Sequence, residues 1–208
     1  MGISKDNELN ADRAVDNILN NGNSSLFTIT EVTPDLLLCG ASMLTDKILS
    51  RLNITCIISA SPELPLIPVP TAVKHHYKIN ITDNTESDLN SHLDNVADLI
   101  NKIEKEGGKT LVHCVAGVSR SVSLCLGYLI KYKDMALNDA FNHIHSKRPC
   151  IRPNNGFFTQ LIDYEQKLRG TTTVQMVYNS GAQGLIPDVY EQYYYNTVKY
   201  KSRMHGNK

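Results

Sequence analysis

Residues 111 to 121 read Leu111-Val-His-Cys-Val-Ala-Gly-Val-Ser-Arg-Ser, which sets Cys114 six residues before Arg120 with Gly117 midway. A short loop that leaves a strand at Cys114 and enters a helix near Arg120 aims successive backbone N–H groups, those of Val115, Ala116, Gly117, Val118, Ser119 and Arg120, at one point. The helix dipole adds partial positive charge there, so the segment is suited to hold a phosphate. Gly117 permits the positive φ or the close approach that such a curl needs. Arg120 offers a planar fork to two phosphate oxygens, a match that lysine does not provide. The same field acts on Cys114 and lowers a thiol pKa from about 8.5 into roughly the 3.5–7.5 range, which makes it thiolate at neutral pH. Such a cysteine is a nucleophile without a separate base. The N–H groups and Arg120 offset the repulsion between thiolate and phosphate dianion. This chemistry calls for no metal and no cofactor.

A bare C-x5-R is weak, since five cysteines produce one by chance about one time in four. The neighbouring residues sharpen it: His113 precedes the cysteine, Ser121 follows the arginine, and a strand leads in while a helix leads out. The flanking elements follow from periodicity. Phe27 to Val32 alternates, and Asp35-Leu-Leu-Leu-Cys follows a proline and closes at Gly40, a short β-meander. Leu44, Ile48, Leu49 and Leu52 share one helical face, Thr55 to Ser59 is a buried strand, and a Pro-rich loop runs from Pro62 to Pro70. His76 to Ile81 is the next strand. Leu89, Leu93, Val96, Ile100 and Ile103 mark an amphipathic helix ended by Gly107-Gly108, and Lys109 to Cys114 is a strand. Val122, Cys125, Leu126, Leu129 and Ile130 begin a helix a short loop later, and two more follow on Leu137/Ala140/Phe141/Ile144 and Phe157/Phe158/Leu161/Ile162/Leu168. The expected class is therefore α/β: one domain, a central mostly parallel sheet flanked by helices, and a helical C-terminal half.

Composition narrows the function classes. The 208 residues, 41% of them hydrophobic, supply one sizeable core. Lys plus Arg equals Asp plus Glu at 21 each, so no whole-protein field favours nucleic acid or a membrane surface. The longest apolar stretches, such as Val122 to Ile130, fall short of the roughly 20 residues of a membrane helix. The polar N-terminus lacks the basic-then-apolar layout of a secretory signal. Gly2 invites a myristoylation reading, but Asp6 stands where that motif asks for Ser or Thr. Cys39, Cys56, Cys114, Cys125 and Cys150 contain no C-x-x-C pair, which predicts reduced thiols rather than a disulfide framework or a zinc site. The expectation is a cytoplasmic protein, with the nucleus or an organelle as further compartments. Asn53-Ile-Thr and Asn80-Ile-Thr match the glycosylation tripeptide by chance.

His113-Cys-Val-Ala-Gly-Val-Ser-Arg-Ser121 resembles the signature of the protein tyrosine phosphatase superfamily in its dual-specificity form. Arg148-Pro-Cys-Ile-Arg-Pro-Asn-Asn-Gly-Phe157 is similar to the second stretch of those domains, Asp163-Tyr-Glu to the helix after it, and Gly184 to Tyr190 to a branch of small atypical members. Residues 1–25, rich in Asn, Asp and Ser with little apolar periodicity, are expected to be a flexible extension, and beyond Gly170 the pattern loosens into a Tyr-rich 171–208 tail. The resemblance covers residues 26–170 between them and implies a catalytic domain there. It also implies a metal-independent phosphatase that works through phosphocysteine on phosphoproteins, with signalling kinases as partners and no nucleic acid. Two other classes stay open: a phosphatase of phosphoinositides or RNA ends, and a pseudophosphatase or scaffold that binds phosphoproteins. The uncharged loop residues Val115 to Ser119 argue for protein substrates, and intact Cys114, Arg120 and Asp83 argue for turnover.

Expelling an alkoxide requires a proton donor. Asp83 lies on a loop between a strand and a helix, at the place that the resemblance assigns to the general acid and base. Glu86 and Asp88 are rivals, although Asp88, just before a helix, is expected to cap it. Ser121 is expected to donate a hydrogen bond to the Cys114 sulfur, or else only to cap its helix. His113 is expected to hold backbone near the cysteine rather than to act as a base. Arg152 and Asn154 are expected to brace the loop rather than to touch substrate. His75, His76, His143 and His145 are expected on the surface, not as metal ligands. The tail tyrosines at 190, 193, 194, 195 and 200, with Lys199, Lys201 and Arg203, form a docking surface or pack a few rings against the domain.

Overall fold

The computed structural model describes residues 26–65 and 68–196. The expectations for the 1–25 extension and for Lys199, Tyr200, Lys201 and Arg203 lie outside the described residues. Strands β1 (Thr30–Thr33), β2 (Leu36–Gly40), β3 (Cys56–Ser59), β4 (His75–Lys78) and β5 (Thr110–Cys114) form one sheet in the order β1-β2-β5-β3-β4. β1 pairs antiparallel with β2, and the other pairings are parallel. The mostly parallel α/β sheet expected from the sequence is present. β5 stands at its centre, in register with β2 (Gly40 opposite Cys114) and with β3 (Ser59 opposite His113).

Strand alternation sorts the core into two layers. Leu36, Leu38, Cys56, Ile58, Val112 and Cys114 lie on one face, packed with residues of α2 (Asn90–Lys105), α3 (Arg120–Tyr132), α4 (Leu137–Lys147) and α5 (Asn155–Arg169). Leu37, Cys39, Ile57 and Leu111 lie on the other, packed with Leu49 of α1 (Asp46–Arg51), Ile29 and Met43. Because both faces are covered, β2, β3 and β5 read as unbroken apolar runs rather than as alternating ones. Cys114 thus belongs to the layer under the four long helices, and His113, one residue earlier, faces the α1 layer. α3 is buried along its length from Arg120 to Ile130, which is why its sequence is apolar on nearly every side.

Past α5, which ends on the left-handed Gly170, the apolar period loosens, yet the structure is ordered. β6 (Met176–Asn179) and β7 (Gly184–Pro187) form an antiparallel hairpin, a 3-10 turn follows at Asp188–Tyr190, and residues 191–196 are helical. Tyr190 is fully buried. Its ring meets Phe158 and Phe141 edge-on at 5.1 and 5.8 Å, and its hydroxyl donates to the Pro153 carbonyl at 2.9 Å. These two strands are partly exposed and show neither alternation nor a fully apolar run, so single rings set the order here. The buried Glu165 carboxylate accepts from the Leu137 N–H and from the Thr173 N–H and hydroxyl, which ties the start of α4 to the residues just after α5. The four histidines expected on the surface are only partly exposed, and each has a partner; His75 stacks on Tyr77. His76 bonds Ser59, His143 bonds the Val32 carbonyl, and His145 stacks on Phe141. The sequence pattern marks helix faces but not which exposed-face positions meet a neighbouring element.

Replacing Tyr190 by Ala is expected to lower the free energy of unfolding by about 3–5 kcal/mol. Tyr190→Phe, which loses only the Pro153 hydrogen bond, is expected to cost about 1 kcal/mol. Urea midpoints of the two variants check the difference.

Candidate active site

The segment from Cys114 to Arg120 curls from the end of β5 into α3, and its carbonyls point away from the centre of the curl into the protein. Each has a donor waiting. Val115 O accepts from Ala41 N at 3.0 Å, Val118 O from Arg152 N at 2.8 Å, and Ser119 O from Ser123 N and Oγ at 2.9 and 3.0 Å. Ala116 O and Gly117 O are both taken by Arg148, through Nη2 at 3.0 Å and Nε at 2.8 Å, while its Nη1 donates to Thr28 O. With the carbonyls held outward, the N–H groups turn to the inside of the loop. Gly117 has φ +68°, and a Cβ there would lie 2.5 Å from the Cys39 carbonyl carbon, so both the conformation and the packing exclude a side chain.

Cys114 lies on the inside. Gly117 N–H and Ser121 Oγ–H each donate to its sulfur at 3.2 Å. Burial alone would push this thiol up. The Ser121 hydroxyl, with the N–H groups of Ser121, Val118 and Gly117, overcomes that and holds it below the ordinary value. Other buried cysteines show what burial does when fewer donors oppose it: Cys39 is pushed up to about 12, and Cys56, with the Thr110 hydroxyl alone to offset its burial, to about 11. His113 sits behind the loop with its pKa lowered to about 4, chiefly by burial, and is neutral. Its Nδ1 lies 3.3 Å from the Cys114 carbonyl, which can only accept, so that nitrogen carries the proton. Nε2 then accepts from the Ser59 hydroxyl, which in turn accepts from His76 Nε2 at 2.9 Å. The chain has one consistent direction and ends on the backbone of the cysteine.

Arg120 is buried with its fork at the mouth of the loop. Its Nη1 meets both carboxylate oxygens of Glu63, at 2.7 and 2.9 Å. Its Nε is 3.9 Å from Asp83 and has no hydrogen-bond partner among the described residues. Asp83 is tied across the loop: Oδ1 accepts from Ser119 Oγ at 2.7 Å and from Asn154 Nδ2 at 2.9 Å. Asn154 also caps α5 through Phe157 N, and its own N–H donates to Ser119 Oγ. The rivals stand elsewhere. Asp88 accepts from Ser91 N at the start of α2, the expected cap, and the exposed Glu86 accepts from Thr85. The backbone around Asp83 is held by α5. Gln160 accepts from Leu89 N and Asn90 N and donates to Ser87 O. A Cβ on Gly156 would lie 2.0 Å from Thr85 O.

The structure brings Cys114, Arg120, Asp83, Ser121, His113 and Asn154 together with the loop residues 115–119. The Arg152 side chain goes elsewhere: its guanidinium stacks on Tyr190 at 4.6 Å and bonds the Tyr194 hydroxyl, and only its backbone N–H braces the loop. Arg148 and Glu63 were not singled out by the sequence reading. Arg148 stood inside the quoted second stretch but carries no local sign of burial. Glu63 follows β3, and parallel pairing of β3 with β5 places both strands' C-terminal loops at one edge of the sheet.

Comparison with known proteins gives one answer. The family model "Dual specificity phosphatase, catalytic domain" matches residues 36–167. Human dual specificity protein phosphatase 21 is 44% identical over 169 residues, 81% of this chain and 87% of that protein. Human dual specificity protein phosphatase 14 is 41% identical over 165 residues, 79% of this chain and 81% of that protein. Among solved structures, a mouse putative dual specificity phosphatase complexed with zinc tungstate is similar, with TM-score 0.65 and 31% identity over 68% of this chain and 89% of that one. So is the human tyrosine phosphatase-like serine/threonine/tyrosine-interacting protein, with TM-score 0.61 and 30% identity over 67% and 96%.

A thiol with a lowered pKa stays thiolate as the pH falls below the ordinary cysteine range. Alkylation of Cys114 by iodoacetamide is therefore expected to reach half its plateau rate at a lower pH than for a free thiol. Ser121→Ala, which removes one donor to the sulfur, should move that midpoint upward. An unmoved midpoint would assign Ser121 to capping alone.

Proposed function

The chain belongs to the dual specificity phosphatase family and is a cysteine-based protein phosphatase of phosphotyrosine and phosphoserine or phosphothreonine; on that premise we propose how its residues divide the reaction. The N–H groups of Val115 to Arg120 and the Arg120 fork take the phosphate oxygens of a phosphoprotein. The Cys114 thiolate attacks phosphorus, an S–P bond forms, and the P–O bond to the protein breaks. Asp83, in its protonated form, delivers its proton to the leaving oxygen. In the second step Asp83 as carboxylate takes a proton from water, which attacks phosphorus, and the S–P bond breaks. The sulfur departs as thiolate, stabilised by the Ser121 hydroxyl and Gly117 N–H.

The observation that carries this reading is the pair of donors at 3.2 Å on the sulfur, in a loop whose mouth also holds Arg120 and Asp83. His113, Arg148 and the Arg152 N–H act as positioning groups for the loop, and Ser119 and Asn154 for Asp83. Glu63 holds Arg120 by one nitrogen and leaves the rest of the fork for phosphate. Residues 26–170 serve as the catalytic domain, and Tyr190, beyond it in the chain, supports it. Val115 to Ser119 bring no cation of their own, which favours protein substrates over phosphoinositides or RNA ends. Signalling kinases are the proposed substrates and the cytoplasm the proposed compartment. Among the described residues no helix is long and apolar enough to cross a membrane.

Phosphate release from phosphotyrosine and phosphothreonine peptides is expected to persist in EDTA and to be abolished by Cys114→Ser. Asp83→Ala should lower kcat roughly 10²- to 10⁴-fold for phosphate esters with poorly leaving alkyl alcohols and much less for a nitrophenyl ester. If Asp88→Ala shows that leaving-group dependence and Asp83→Ala does not, the assignment of the acid is wrong.

A further inference from the structure

A cavity of about 330 Å³ opens on the α1 face of the sheet, beside the loops that leave β2 and β3. That is at the low end of the roughly 300–1,000 Å³ of small-molecule sites, at the strand edge where α/β sheets bind ligands. It is distinct from the cysteine loop: Cys114 belongs to the opposite layer, and neither Cys114 nor Arg120 lines it. Ala41, Leu44, Leu64 and Pro65 make most of its wall apolar. Two polar groups stand out against them. Ser61 is 1% exposed, and its Oγ has no hydrogen-bond partner among the described residues, an unfavourable state for a buried hydroxyl. Lys78, exposed at the rim, uses one ammonium hydrogen on Leu64 O at 2.8 Å and has two left to give.

We propose that this cavity is a second binding site, for a small amphiphilic carboxylate whose aryl or alkyl body fills the apolar wall while its carboxylate accepts from Ser61 and faces Lys78. A phosphate dianion fits poorly, since the cavity offers one cation and little polar wall against its larger hydration. The site touches the phosphatase machinery from behind. Ser59 and His113, which hold the Cys114 carbonyl, form part of its floor. Leu64 adjoins Glu63, which holds Arg120. An occupant therefore acts on the turnover of the phosphate loop without entering it. This last effect rests on the phosphatase reading, whereas binding does not.

The test uses the full chain and 2-naphthoate as the probe, followed by calorimetry with and without saturating inorganic phosphate. Naphthoate is expected to bind equally in both conditions. Ser61→Ala should weaken it about tenfold, the value of one hydrogen bond to a charged group. Leu44→Phe, which fills the cavity, should abolish it while leaving basal hydrolysis of nitrophenyl phosphate and the urea midpoint near wild type. In the wild type, naphthoate should change kcat for nitrophenyl phosphate with KM unmoved, and this should vanish in Leu44→Phe. Competition with phosphate, indifference to both substitutions, or no heat up to about 10 mM probe would overturn the site. Binding that spares kcat would overturn the coupling. The calorimetric arm needs no turnover, so it stands or falls apart from the catalytic assignment.

Discussion

The outward turn of the carbonyls between Val115 and Ser119 is the constraint on which the rest depends. A curl of five peptide units brings N–H groups to one side only if the C=O groups on the other side find partners, because a buried carbonyl without a donor costs about as much as a lost hydrogen bond. Here every one has a donor: Ala41 from the end of β2, two arms of Arg148, the N–H of Arg152, and Ser123 within α3. The inward N–H groups are the consequence, and the depressed thiol of Cys114 follows from them. Cys39, buried one strand away without such donors, is pushed in the opposite direction.

Those donors tie the site to the fold. β2 and β5 in parallel register put Gly40 opposite Cys114, so the chain leaving β2 meets the loop as it leaves β5. The segment from Arg148 to Asn154 lies between α4 and α5 and serves twice, pinning the loop through Arg148 and Arg152 and pinning Asp83 through Asn154. The buried ring of Tyr190 and its bond to Pro153 hold that same segment from the tail side. The phosphate loop and the acid thus share this support, while Glu63 on the loop after β3 holds the fork and Gln160 of α5 holds the backbone beyond Asp83.

How much of this was legible follows from the range of each interaction along the chain. Cys114, Gly117, Arg120 and Ser121 lie within eight residues, where strand, loop and helix signals overlap, so their spacing was enough. The parallel sheet was readable from apolar runs of β2, β3 and β5, since burial on both faces removes alternation. Glu63 and Arg148 were not readable as site residues, because their partners lie 57 and 31 positions away and the link passes through strand pairing and helix packing. The place of the Arg152 side chain was not readable for a related reason, although its backbone N–H does reach the loop. Its side chain is claimed by rings of Tyr190 and Tyr194, and nothing in the local sequence says that the tail returns to it. The β6–β7 hairpin was not readable because its strands, Met176-Val-Tyr-Asn and Gly184-Leu-Ile-Pro, are partly exposed and show neither alternation nor a fully apolar run.

The central claim is that Arg148, on the outer side of the loop, sets its anion affinity by holding the Ala116 and Gly117 carbonyls outward. Titration of inorganic phosphate into Cys114→Ser and into Cys114→Ser/Arg148→Lys, both checked for native unfolding midpoints, measures this directly. Lysine keeps the charge and loses the second of the two fixed donors. The account predicts at least about tenfold weaker phosphate binding in the double variant, as the loss of one buried charge-assisted hydrogen bond implies. Equal affinity in two equally folded proteins would contradict it.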